Sequence, residues 1–144
     1  MEGFMHCKPI IQIDGTFLYG KYTGKLLIAT SIDANRHLFP LVFSLVEEET
    51  TYSWSWFFFA MRSHVTQRDG ICLIYDRHEG IELASQNVKV GWTPPCAHYR
   101  YCLRHMANNF NEKYRNKVLK DLVYKARSQH QPRKFQLSWR NYIS

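Results

Sequence analysis

Acidic residues are scarce in the last third of this 144-residue chain, where Glu112 and Asp121 stand against 11 lysines and arginines in residues 100–144. Residues 1–99 carry 8 Lys+Arg against 10 Asp+Glu, a balance of −2, while residues 100–144 carry +9. That shortage of negative charge excludes an acidic tail and suits a polyanionic partner. On charge alone a solvated, lysine-rich helix face is an equal reading. Runs of 18 or more apolar residues are absent, so no membrane-spanning helix is expected. The start, Met1-Glu2-Gly3-Phe4, lacks the charged and apolar regions of a signal peptide. With only 4 cysteines there is no disulfide framework, and the thiols are expected to be reduced, as in a cytosolic or nuclear protein. Repeats, low-complexity tracts and linkers are also lacking. What is present is 45% hydrophobic and 15% aromatic, which points to one globular domain or a piece of one.

Hydrophobic periodicity predicts three antiparallel strands, about Ile10–Leu18, Lys25–Ile32 and Leu38–Val46, punctuated by Gly20, Gly24 and Asp33-Ala34-Asn35. Pro40 favours an edge position for the third strand, because proline cannot donate to ladders on both sides. Thr50–Ser53 offers caps for a helix whose Trp54, Phe57, Phe58, Met61 and Val65 form a core-facing stripe. A fourth strand, Ile71–Tyr75, is followed by a helix of about Gly80–Val88, a Gly-Pro-rich loop and a fifth strand near Ala97–Tyr101. Helices through Leu103–Tyr114 and Leu119–Ala126 come next, with one more helical start after Pro132. Trp54, Trp56 and Trp92 read as core or loop anchors. Helical crossovers imply that the later strands run parallel to the first.

Two apolar runs each deliver one carboxylate. Ile10-Ile11-Gln12-Ile13-Asp14-Gly15-Thr16 holds Asp14 inside a strand, and Ile71-Cys72-Leu73-Ile74-Tyr75-Asp76 brings Asp76 to the end of another. A carboxylate among apolar residues is costly unless it is paired or holds a cation. Two such strands side by side would bring the carboxylates together, which disfavours ionising both unless a metal lies between them. The competing reading of Asp14-Gly15 alone is a turn.

The words around these aspartates keep their order from about Ile11 to Ala126. They are Ile13-Asp14-Gly15-Thr16, Leu18-Tyr19-Gly20-Lys21-Tyr22, Leu27-Ile28-Ala29-Thr30, Phe39-Pro40-Leu41-Val42-Phe43 and Ser53-Trp54-Ser55-Trp56-Phe57-Phe58. Then come Asp76-Arg77-His78-Glu79-Gly80-Ile81, Ala97-His98-Tyr99-Arg100-Tyr101-Cys102-Leu103-Arg104-His105 and Asn108-Asn109-Phe110. In these the chain resembles the transposase domain of plant Mutator-like elements of the MuDR type. The element order is also that of the ribonuclease-H-like fold, an α/β class with a mixed five-stranded sheet flanked by helices, which the resemblance implies as well. Residues 10–101 would form the core and 102–144 a basic helical segment that begins the family's helical insertion, making the chain a partial domain.

The resemblance implies a site of two aspartates and a glutamate holding two divalent ions, with Asp14 and Asp76 as the first two ligands. Hard oxygen donors fit magnesium or manganese better than zinc, and two such ions activate a nucleophile and stabilise the leaving oxygen in phosphodiester cleavage and strand transfer. The family's glutamate comes further downstream. Glu79 and Glu82 follow Asp76 immediately, and Glu112 and Asp121 fall in the helical segment, so the third ligand is expected outside the chain. Tyr75 stands where the family commonly has serine and puts a bulky ring beside the site. Arg77 could approach a phosphate or pair with a carboxylate, and His78 is a weaker candidate base.

Cys102 and His105, at i and i+3, match the family's Cys-x-x-His motif and could share zinc. Cys96 and His98 extend the cluster to four candidate ligands, and packing near the active site is the alternative reading. Arg77, Arg104, Lys113, Arg115, Lys117 and Lys120 are the candidate DNA-contacting residues. The implied function is that of a piece of a nuclear, cut-and-paste DNA transposase acting on element ends, with no membrane partner and with homo-oligomers in the full-length protein. The alternative is a domesticated, non-catalytic DNA-binding regulator of transposase descent.

Overall fold

Along Ile10–Leu18 apolar side chains point alternately to opposite faces, and Ile11 and Ile13 are fully buried while Gln12 and Asp14 are half-buried. This is strand β1 of a computed structural model that describes residues 2–21 and 23–127. β2 (Gly24–Ile32) and β3 (Leu38–Val46) continue an antiparallel meander, and β4 (Ile71–Tyr75) and β5 (Ala97–Tyr101) add parallel to it, giving the order β3-β2-β1-β4-β5. The sheet is therefore mixed, five-stranded and flanked by helices, an α/β architecture. β3 lies at the edge, as Pro40 predicts. Pro40 pairs with Thr30 and Val42 with Ala29, so Leu41 is the extra residue of a bulge at the proline.

One face of the sheet is covered by helices α2 (Thr51–His64) and α3 (Glu79–Gln86), which pack on each other. The stripe Trp54, Phe57, Phe58 and Met61 is fully buried against Ile11, Ile13, Leu27, Ala29, Ile71 and Leu73. Each such side chain contributes roughly 1.5–3 kcal/mol relative to exposure. Trp92 is equally buried, and its indole N–H donates to the Phe58 carbonyl at 2.8 Å. Trp56 departs from the reading as a core or loop anchor. It stands more than a quarter of a turn away from the stripe Trp54, Phe57, Phe58 and Met61 on α2 and is 52% exposed. The predicted helix over Gly80–Val88 is shorter, because Asn87 ends α3 and caps a 3-10 turn at Val88–Val90. A four-residue helix, α1 (Glu2–Met5), precedes the sheet and was not anticipated.

The chain divides into two compact units after Cys102. The second contains α4 (Leu103–Tyr114) and α5 (Lys117–Arg127), packed on each other. Arg115, with φ at 49°, makes the corner, and the Asn116 side chain accepts from the Leu119 N–H to open α5. The helical start expected after Pro132 lies outside the described residues. Among the described residues no helix is long and apolar enough to cross a membrane.

Candidate metal and catalytic site

The parallel ladder between β1 and β4 decides whether the two aspartates can act together. Ile10 pairs with Cys72, Ile11 with Leu73 and Gln12 with Ile74, always 62 residues apart. Asp14 and Asp76 have the same separation, and the ladder itself ends at Gln12 and Ile74, two residues before each of them, with Asp76 immediately past the end of β4. Neighbouring strands lie about 4.8 Å apart. Alternation also sorts the faces. Ile11, Ile13, Ile71, Leu73 and Tyr75 are buried toward the helices, so Asp14 and the residues in step with it, Gln12, Cys72 and Ile74, belong to the other face. Both aspartates are half-buried.

Asp76 opens a tight turn. One of its carboxylate oxygens accepts from the Arg77 N–H at 2.7 Å, and its carbonyl accepts from the His78 N–H at 2.7 Å. His78 caps α3, its Nδ1 accepting from the Gly80 N–H at 3.2 Å. The ring expected to be a weak candidate base thus has a local structural partner. Arg77 is exposed; the hydrogen bond to Glu82 pushes the Tyr101 pKa up, and the charge of Arg77 opposes that shift only in part. The Tyr75 ring does not crowd Asp76. It is buried on the helix-covered face, edge-on to Tyr99 at 5.9 Å and to Tyr101 at 5.8 Å. On that same face Glu82 accepts from the Tyr101 hydroxyl at 3.2 Å.

Two half-buried carboxylates, one in β1 and one just past β4, are hard-oxygen donors of the kind magnesium or manganese takes. Among the described residues no group of three or more His, Cys, Asp or Glu side chains comes together as a metal site. The four-ligand reading of Cys96, His98, Cys102 and His105 accordingly finds no such cluster. Cys96 lies beside Asp69, whose carboxylate pushes the thiol pKa up, and Asp69 in turn pairs with Arg62 at 2.8 Å. Cys102 is buried at the end of the first unit, where its N–H donates to the Tyr75 carbonyl at 2.7 Å, and His105 lies in the first turn of α4. All 4 cysteines are free thiols.

A family model described as the MULE transposase domain matches residues 10–109, more than half of the chain. The chain belongs to the MULE transposase domain family. It is therefore a Mutator-like transposase domain, and the match runs through both aspartates. Among curated proteins nothing matches it. In the second unit of this MULE domain chain, Arg104, Lys113, Arg115 and Lys117 are exposed and Lys120 is half-buried. Lys113 lies over the ring of Tyr114, at 5.5 Å. Arg133, Lys134 and Arg140 fall outside the described residues.

Sequence reasoning missed a side chain packed on β1 at the residue after Asp14, on the helix-covered face. The carboxylate of Glu49 rests on the Cα of Gly15, where a Cβ would lie 2.5 Å from Oε1. The run Glu47-Glu48-Glu49 signals only the end of β3, and nothing in it distinguishes the third glutamate from the first two.

Proposed function

We propose that this chain is the catalytic-core part of a DNA transposase of the cut-and-paste, two-aspartate-plus-glutamate type, with a ribonuclease-H-like fold. Its kinship would be with MuDR-type elements of plants, and its place of work the nucleus. The observation that carries the reading is the parallel pairing of β1 with β4, the strands that lead to Asp14 and Asp76. The sheet order, with two parallel strands added beside an antiparallel meander, supports the fold.

In this reading Asp14 and Asp76 hold magnesium or manganese. Bound there, the ion would polarise a phosphodiester and lower the pKa of the attacking water or hydroxyl. The chain's own part is to place the two carboxylates at the end of a rigid ladder, so that little reorganisation accompanies metal binding. The Asp76-Arg77-His78 turn, closed by two 2.7 Å hydrogen bonds, fixes the second ligand. Arg77, Arg104, Lys113, Arg115, Lys117 and Lys120 would contact DNA phosphates at element ends. Zinc at Cys102 and His105 has less support, because Cys102 is buried and, among the described residues, no larger ligand group surrounds it.

DNA binding by the 144-residue chain is the test. Affinity for a duplex, followed by fluorescence anisotropy, is expected to be weak and largely independent of sequence. It should fall on the order of 100-fold between about 50 and 200 mM salt if about four phosphates are engaged. Absence of binding at low salt, or binding indifferent to salt, would contradict the reading.

A further inference from the structure

The neighbourhood of Gly15 contains an ion pair that the proposed chemistry does not use. Glu49 immediately precedes Thr50, the residue that caps α2. Its carboxylate lies flat against Gly15, with Oε1, Cδ and Oε2 at 2.5, 2.8 and 3.0 Å from the position a Cβ would take. Oε2 of Glu49 accepts from Lys25 Nζ at 3.2 Å, and the two side chains are only 12% and 18% exposed. Lys25 is the cross-strand partner of Phe17, and its ammonium sits 3.3 Å from the centre of the Phe17 ring. One buried carboxylate thus ties the start of α2 to β1 and β2 at the residue that follows Asp14.

We propose that Glu49 is a positioning residue for Asp14. Resting on the hydrogen-only Cα of Gly15, it fixes the stretch of β1 that carries the metal-binding carboxylate. Lys25 neutralises Glu49 on the helix-covered face, opposite the face that carries Asp14, and the Phe17 ring holds Lys25 in place. Because Lys25 pins the carboxylate, Glu49 cannot swing away without breaking a mostly buried pair. A methyl group at position 15 would therefore expel it and shift the strand. Glu49 on this account touches no metal and no substrate, and it acts through the backbone of Asp14. The inference rests on the reading of Asp14 as a metal ligand.

Manganese affinity of the full 144-residue chain, measured by titration calorimetry or by the electron paramagnetic resonance of free Mn2+, separates this role from simple stability. Outer partners of metal ligands typically cost about 10–100-fold in affinity when removed. Glu49→Ala and Gly15→Ala, which attack the contact from its two sides, are each expected to weaken Mn2+ binding about 10-fold. Glu49→Gln, which keeps the shape and the oxygen facing Lys25, should restore binding nearly to the wild-type level. Val65→Ala, which loosens the core at the far end of α2, should lower thermal stability and leave affinity unchanged. Wild-type affinity in both Glu49→Ala and Gly15→Ala, with binding lost in Asp14→Asn, would overturn the positioning role alone. Equal Mn2+ binding by wild type and Asp14→Asn would overturn the metal reading and this inference with it.

Discussion

An aspartate in the middle of a strand is tolerated where the pleat turns it away from the core, and Asp14 follows that rule between the buried Ile13 and the half-buried Gly15. Tyr99 illustrates the opposite placement. Its hydroxyl donates toward the carbonyls of Ser85 and Trp92, and burial pushes its pKa up to about 12 from 10.0. A raised folded-state pKa means that the neutral phenol is the form the fold favours. Its contribution is complete below about pH 10 and is lost as pH rises toward about 12. Ultraviolet titration should therefore show one phenolate appearing near pH 12 or together with unfolding. Tyr99→Phe, which leaves two carbonyls without this donor, should cost about 1–3 kcal/mol in urea denaturation at neutral pH. Ordinary titration of every tyrosine near pH 10 in the folded protein would contradict this placement.

At the scale of elements, α2 starts with a reciprocal cap. The Ser53 N–H donates to Thr50 Oγ1 at 3.1 Å, and the Thr50 N–H donates to Ser53 Oγ at 2.9 Å. Thr50→Ala should lower stability by about 1 kcal/mol, readable as a shifted urea midpoint with an unchanged slope. No shift would mean that the tertiary packing of Trp54 and Phe57 alone sets the helix start. This cap, the five strands and the edge position of β3 were legible in the sequence because each rests on local chemistry: hydroxyls before a helix, period-two alternation, a proline that cannot donate. The parallel direction of β4 beside β1 was legible through the crossover rule, and their adjacency through the fold that the family resemblance implies. What could not be read depends on contacts between residues remote in the chain. The indole of Trp92 reaches the Phe58 carbonyl, the Cys96 thiol lies beside Asp69, and the Glu49 carboxylate reaches Gly15. Trp56 was read as a core or loop anchor on its residue type, whereas its place off the apolar stripe of α2 already pointed outward.

For the molecule as a whole, the central claim is that two carboxylates 62 residues apart make one metal site in a MULE transposase domain. Neither Glu79, which opens α3, nor Glu82, which is bonded to Tyr101, joins Asp14 and Asp76 in a larger ligand group. The chain by itself should therefore nick supercoiled DNA slowly or not at all in magnesium or manganese, because fixed geometry around both ions is what stabilises the transition state. Robust nicking abolished by Asp76→Ala would show that a third ligand is supplied from within these 144 residues. The most direct measurement is a manganese titration of the isotope-labelled chain, with paramagnetic broadening read residue by residue. The account predicts that amides around residues 13–15 and 75–78 broaden first and together, and that Asp14→Asn or Asp76→Asn alone removes both effects. Broadening centred on Glu47–Glu49, or two sets of signals that respond separately to the two substitutions, would contradict it.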